Sequence, residues 1–303
     1  MFYKSRFQRC FASLAVAAAT LAMAPAASAA SNYTVTAKDG VTLAVQESGN
    51  PQGPAVVLVH GLLGSRLDWE AQVNSVDLQR FRMITWDLRG HGLSGKPTEA
   101  IAYSDGRRWA DDLAAVIDAS HAQKPVLVGW SLGAAVISNY LAAYGDSRIA
   151  GLVYVDGVIE FKADQIPAHP ATYRDMVAPD LKTHLDAERA FLALCFQTQP
   201  DPDTSARLLA NAAMASWDMQ RAVMSMTIAA SEGLRKAHVP LLLLYGERDA
   251  LVNPGPSIAR VKELVPGARS TLYANSGHAP FIEEPVRFNH DLAKFVDQAT
   301  AHP

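Results

Sequence analysis

The chain has 303 residues, 49% of them hydrophobic, and a formal net charge of −3. That length and apolar content supply ample core for one large domain, with room for a smaller insertion. The near-neutral balance and the lack of a basic cluster interleaved with aromatics argue against a nucleic-acid partner.

Residues 1–30 read as a leader rather than as part of a fold. Lys4, Arg6 and Arg9 form a positive start, Phe11 to Met23 an apolar core, and Ala27-Ser28-Ala29 a small-residue cleavage site. The apolar stretch is shorter than the roughly 17 residues that span a bilayer, although an uncleaved anchor is the alternative reading. Cys10 precedes the apolar core, so lipid attachment fits poorly. The expectation is export to a periplasm or the medium, with no stable membrane association after cleavage. Cys195 then stands alone, cannot form an internal disulfide, and reads as a buried, inert thiol within Phe191-Leu-Ala-Leu-Cys-Phe196.

The alternation over Tyr33–Ala37 and Val41–Glu47, joined by Lys38-Asp39-Gly40, predicts a hairpin, because Asp-Gly supplies positive φ. Pro54 to Val59 is a continuous apolar run, the mark of a strand buried on both faces, and ends in His60-Gly61. An amphipathic segment over Leu67–Leu78 follows, then a strand from Phe81 to Trp86 that ends in Asp87-Leu-Arg-Gly-His-Gly-Leu-Ser94. Trp109, Leu113, Val116 and Ile117 at helical spacing predict a helix over Ser104–Ser120. Val126–Val128 forms the next strand, breaking at Gly129-Trp-Ser131-Leu-Gly133 into a helix-favouring Ala134–Ala143, and Ile149–Val155 a further buried strand ending at Asp156.

The strand rhythm stops from Val158 to His238, where helical segments alternate with Pro-bearing loops. Met and aromatic residues crowd this part, which suits packing and also an adaptable apolar lid. It resumes with strands at Val239–Tyr245 and Arg269–Tyr273 and helices over Pro256–Leu264 and Pro285–Gln298. The prediction is an α/β fold with a doubly wound, mostly parallel, eight-stranded sheet. Its core covers 31–157 and 239–303, with a helical cap over 158–238.

In such sheets ligands gather at the carboxyl ends of the strands, and His60, Asp87, Ser131, Asp156, Asp249 and His278 all follow strand ends. The glycines beside Ser131 permit a strand-to-helix turn too tight for Cβ atoms, which lifts its hydroxyl beside the amides of a helix N-terminus. A serine needs an adjacent base and a group that orients it. His278 is the candidate base and Asp249 the candidate orienting acid, following the order Ser, Asp, His; Asp156 is its rival. Asp87 is read as shaping its own glycine-rich turn. The N–H groups of Leu132 and Leu62 are the candidate oxyanion donors, with His60 and Gly61 holding the latter's loop and Gly129 and Gly133 permitting the turn. No metal site or nucleotide cradle suggests itself, and the proposed chemistry needs no cofactor.

Taken together, His60-Gly61, Asp87–Ser94, Gly129–Gly133, Gly246-Glu-Arg-Asp249 and Gly277-His278 resemble the motifs of the α/β-hydrolase fold in the family's order, across nearly all of the chain after residue 30. The resemblance implies a cap between the sixth and seventh strands. Within the family the chain is similar to small bacterial arylesterases and cofactor-free, haloperoxidase-like perhydrolases. Serine at position 131 sets it apart from members that attack through a carboxylate, and Trp130 stands where lipases often carry histidine. The implied function is a serine hydrolase acting on a small-molecule ester. Perhydrolysis, lactone, amide or carbon–carbon bond cleavage on the same triad, and a non-catalytic binding version of the fold, are the alternatives. Oligomeric state stays open.

Overall fold

A computed structural model describes residues 30–301 together with residues 1 and 2. The expected leader therefore lies almost wholly outside the described residues, as does Cys10. The sheet is built from β1 (Ser31–Thr36), β2 (Thr42–Gly49), β3 (Ala55–Val59), β4 (Arg82–Trp86), β5 (Val126–Trp130), β6 (Gly151–Val155), β7 (Leu241–Gly246) and β8 (Arg269–Tyr273). Its spatial order is β1-β2-β4-β3-β5-β6-β7-β8. The first two strands run antiparallel and β3 to β8 are parallel. This is the doubly wound, eight-stranded arrangement expected.

Burial follows the sequence pattern. Every residue of β3, β5, β6 and β7 is buried, because helices cover both faces of these inner strands. The edge strand β8 is mostly exposed. The β1–β2 turn closes on Gly40 at φ +88°. On the flanks, α3 (Gly106–Ser120) starts at Asp105, whose side chain accepts from Arg107 N, and buries Trp109, Leu113, Val116 and Ile117. Helix α4 (Leu132–Tyr144) is buried through its first ten residues, and α12 (Pro285–Thr300) buries the stripe Phe288, Leu292, Phe295, Val296 and Ala299. A single turn, α2 (Ile101–Ser104), precedes α3, and α10 (Pro254–Leu264) joins β7 to β8.

The amphipathic segment from Leu67 to Leu78 contains only short turns. It forms a 3₁₀ turn over Arg66–Trp69 and one α-helical turn, α1 (Glu70–Val73). A reciprocal cap between Ser65 and Asp68 overrides the apolar pattern, so that Asp68 is buried while Leu67 stays exposed.

Between β6 and β7 the described chain is helical: α5 (Pro170–Asp175), α6 (Leu181–Leu194), α7 (Pro202–Ala212), α8 (Trp217–Val223) and α9 (Ala230–Arg235). Helix α8 sits on the loop after β4, where Ser216 N donates to Gly90 O at 2.8 Å. Helix α9, in contrast, packs on α4. Ala229 N donates to Asn139 Oδ1 at 2.8 Å, and Lys236 Nζ to Ala142 O at 2.6 Å, both on α4. A Cβ on Gly233 would stand 2.1 Å from Ser138 O. Gly233→Ala should therefore lower stability by roughly 1–3 kcal/mol, read from the denaturant midpoint. Gly255→Ala, in open space on α10, is the control and should not.

Candidate active site

Ser131 occupies the corner between β5 and α4 with φ +52° and ψ −116°, a conformation that side-chain-bearing residues rarely adopt. Three hydrogen bonds over-determine it. Its N–H donates to Val155 O at 2.9 Å, and its carbonyl accepts from Ala134 N and Val158 N, both at 3.0 Å. The flanking glycines are sterically required. A Cβ at Gly129 would lie 2.7 Å from Ala134 N, and one at Gly133 only 2.4 Å from Val59 O. The hydroxyl-bearing residue is 8% exposed, so its access is through the cavity described below.

His278 follows β8, and Asp249 follows β7. Their side chains meet, His278 Nδ1 lying 2.7 Å from Asp249 Oδ2, and both are buried. The other oxygen, Asp249 Oδ1, accepts from Leu251 N at 2.8 Å and Val252 N at 3.0 Å. With Asp249 ionised, Nδ1 carries the proton and Nε2 is left as an acceptor. Residues outside the expected set hold the histidine loop. Cys195 O accepts from His278 N at 2.9 Å, and Glu283 Oε1 from Gly277 N at 2.7 Å. Trp130 Nε1 donates to His278 O at 2.7 Å, with its ring 5.6 Å from the imidazole. Sequence position beside the candidate nucleophile was the one available signal for Trp130; nothing marked Cys195 O or Glu283. The Cys195 thiol itself is buried and pushed well above the usual thiol range by that burial, matching an inert role.

The loop after β3 lies against the serine. A Cβ on Gly61 would be 3.1 Å from Ser131 Cβ, and Leu62 lines the same cavity as Ser131 and Leu132. Leu132 is the first residue of α4, where helical N–H groups have no intrahelical acceptor. The His60 ring braces the loop: Nδ1 donates to Gly61 O at 2.8 Å and Nε2 accepts from Leu88 N at 2.9 Å. Asp87 ties two loops together, accepting from Leu93 N in its own turn and from Arg66 N after β3, at 2.8 Å each, and pairing with the Arg66 guanidinium. A Cβ on Gly92 would fall 2.4 Å from Asp87 Oδ2. The rival acid Asp156 lies beside Asp249 without displacing it from His278.

Ser131 opens into a cavity of about 40 Å³ between the sheet edge and the β6–β7 segment. Leu62 and Leu132 line its floor, and Phe161, Tyr173, Phe191 and Val223 its walls. A larger groove of about 460 Å³, between α1 and α7, contains none of the candidate residues and is lined by Asp68, Glu70 and Arg207. The small cavity is the relevant one because it holds the strained serine. Asp156, Asp249 and His278 also place three possible metal donors within 4.8 Å of one another. Asp249 Oδ2 and His278 Nδ1 are committed to each other, and Asp249 Oδ1 to amides, which suits a hydrogen-bonded chain better than a cation.

A strained serine after the fifth strand, a buried acid–imidazole pair after the seventh and eighth, and a glycine-bearing loop after the third define a hydrolase-type architecture. The chain belongs to the α/β-hydrolase fold family, whose sequence model matches residues 54–285. A bifunctional esterase/perhydrolase of Acinetobacter calcoaceticus is 28% identical over 280 residues, covering 86% of this chain and 98% of that protein. Among solved structures, a candidate aryl esterase from Burkholderia cenocepacia is 69% identical with a TM-score of 0.89, covering 90% of this chain and all of its own. An esterase from Rhodococcus sp. ECU1013 is 28% identical with a TM-score of 0.80, covering 88% and 98%. The relatives make this an esterase-type member of the family.

The bracing histidines carry a pH consequence. Burial pushes His60 down to about 4. Burial and then the neighbouring His60 push His91 down to about 3. Unfolded histidines take up protons near pH 6.5, whereas these folded rings refuse them, so acidification favours the unfolded chain. Their contribution is fully present above about pH 6.5 and is lost progressively toward pH 4 and 3. Thermal midpoints measured across that window should fall with pH, and His91→Gln, which cannot titrate, should flatten the slope. An unchanged slope would move the acid sensitivity elsewhere.

Proposed function

We propose that the protein is a serine hydrolase that cleaves carboxylic esters through an acyl-enzyme on Ser131. The observation that carries this reading is the buried 2.7 Å contact of His278 Nδ1 with Asp249 Oδ2 beside the strained serine corner. In the proposed cycle, Ser131 Oγ attacks the ester carbonyl while His278 Nε2 takes its proton. Asp249 holds the ring in the tautomer that leaves Nε2 basic and stabilises the imidazolium. The N–H groups of Leu62 and Leu132 receive the oxyanion. His278 then protonates the departing alcohol, and a water activated by the same nitrogen releases the acid and restores Ser131.

The cavity supports an apolar acyl or aryl group. Its walls are apolar or aromatic, including Phe161, Tyr173, Phe191 and Val223. Hydrogen peroxide could replace water as the acceptor on the same acyl-enzyme. The relative named as an esterase/perhydrolase is the reason to measure peracid formation alongside ester hydrolysis.

Ser131→Ala is expected to lower kcat by about 10⁴-fold or more, and an organophosphonate probe should label the wild-type protein at Ser131 only. Near wild-type turnover in that variant would sink the assignment. For specificity, Val223→Ala should raise kcat/KM for butyrate and hexanoate esters relative to acetate, by roughly tenfold for each methylene newly accommodated. A preference unchanged along the series would remove Val223 from the acyl wall.

A further inference from the structure

Asp156, at the end of β6, has no role in the cycle above, yet it is fully buried beside it. It is a non-glycine residue at φ +42°, held there by Asp156 N donating to Leu244 O at 3.0 Å. Its Oδ1 accepts from Gly246 N at 2.8 Å. Its Oδ2 is shielded from solvent and meets no donor among the described residues. One oxygen of Asp156, one of Asp249 and a ring nitrogen of His278 lie within 4.8 Å of one another.

Two carboxylates this close and this dry cannot both carry charge without a cation, and neither is paired with a Lys or Arg among the described residues. The surrounding titratable groups relieve nothing. Glu283 faces the pair from the turn α11 (Pro280–Glu283), and the Tyr245 hydroxyl from β7 is already committed to Gly157 O at 2.8 Å. Asp249 is the member that contacts His278, so Asp156 is the one to be neutral. A proton on Oδ2 turns an orphaned acceptor into a donor, and the Asp249 carboxylate is the acceptor beside it.

We propose that Asp156 is held protonated and donates a hydrogen bond to the Asp249 carboxylate, as a positioning residue behind the His278–Asp249 pair. Burial, followed by the Asp249 charge, pushes the Asp156 carboxyl well above the usual range, in the same direction as the geometry. The donor draws Asp249 charge away from the imidazolium and fixes the carboxylate plane against Nδ1. Removing it concentrates that charge on His278 and makes the ring more basic. This kinetic consequence rests on the triad proposed above, whereas the protonation does not.

The test compares wild type with Asp156→Asn and Asp156→Ala. Asparagine keeps the volume, an oxygen for Gly246 N and a neutral donor toward Asp249. The infrared difference between wild type and Asp156→Asn at neutral pH should contain the carbonyl stretch of a protonated carboxyl. Asp156→Ala should lose on the order of ten- to a hundredfold in kcat with KM little changed, the scale of one hydrogen bond to a charged group. The acid limb of its kcat/KM profile should move to higher pH, and Asp156→Asn should recover most of the lost kcat. A difference spectrum without the protonated-carboxyl band, or an acid limb that stays in place in Asp156→Ala, overturns the proposal. The spectrum keeps its meaning even if Ser131→Ala proves active, so failure of the triad and failure of this inference are separable.

Discussion

The molecule depends on backbones approaching more closely than a Cβ atom allows. The corner at Ser131 exists because Gly133 passes 2.4 Å from Val59 O, measured from where its Cβ would be, and Gly129 folds back on Ala134 N at 2.7 Å. That contact seats the start of α4 directly on the end of β3. It brings the loop carrying Leu62 and the helix start carrying Leu132 to one point, with Ser131 between them. Backbone strain of this kind costs of order 1–3 kcal/mol per residue and persists only where the surroundings enforce it. Here the enforcement comes from the end of β6 and the loop after it, through Val155 O and Val158 N. The candidate nucleophile is thus a property of three adjacent strands rather than of a local pentapeptide.

Parallel register does the rest. Val59 pairs with Gly129, Trp130 with Val155, Val155 with Leu244 and Gly246 with Tyr273, so the inner strands end level. Residues that follow those ends, far apart in the chain, reach one edge without long loops. This is why so much was legible in the sequence. Continuous apolar runs such as Val56–Val59 and Leu241–Leu244 marked inner strands, and the polar residue after each run marked the edge where chemistry collects. Doubly buried parallel strands have no solvent-facing alternation to confuse the reading, and strand order then follows from short right-handed connections.

What stayed illegible depended on contacts across the chain. The reciprocal cap between Ser65 and Asp68 shapes the amphipathic segment after β3 into a 3₁₀ turn and a single α-helical turn. Helix α9 is short, and its seat on α4 rests on contacts between residues far apart in the chain: Gly233 against Ser138 O, Ala229 N on Asn139 Oδ1 and Lys236 Nζ on Ala142 O. Cys195 O and Glu283 support the histidine loop through a backbone carbonyl and a side-chain-to-amide bond, neither of which leaves a pattern in composition or spacing. Asp156 and Asp249 presented themselves as competitors for one role because both follow strand ends. Since β6 and β7 are neighbours, with Asp156 Oδ1 bonded to Gly246 N, the two acids are partners in space. A one-dimensional reading can rank two candidates for a site but cannot see that both occupy it.

The distribution of polar groups around the corner follows from this crowding. His60 and His91 are kept neutral by burial, Asp87 is paired with Arg66, and the cavity wall facing Ser131 is apolar. The buried His278–Asp249 pair lies against Trp130, the residue before the serine, through Trp130 Nε1 on His278 O. A single negative charge with low-dielectric walls acts on the imidazole far more strongly than it would in water. The same crowding makes a second charge at Asp156 untenable. The pairing of β6 with β7 sets Asp156 Oδ1 on Gly246 N, and burial there disfavours a second charge beside Asp249.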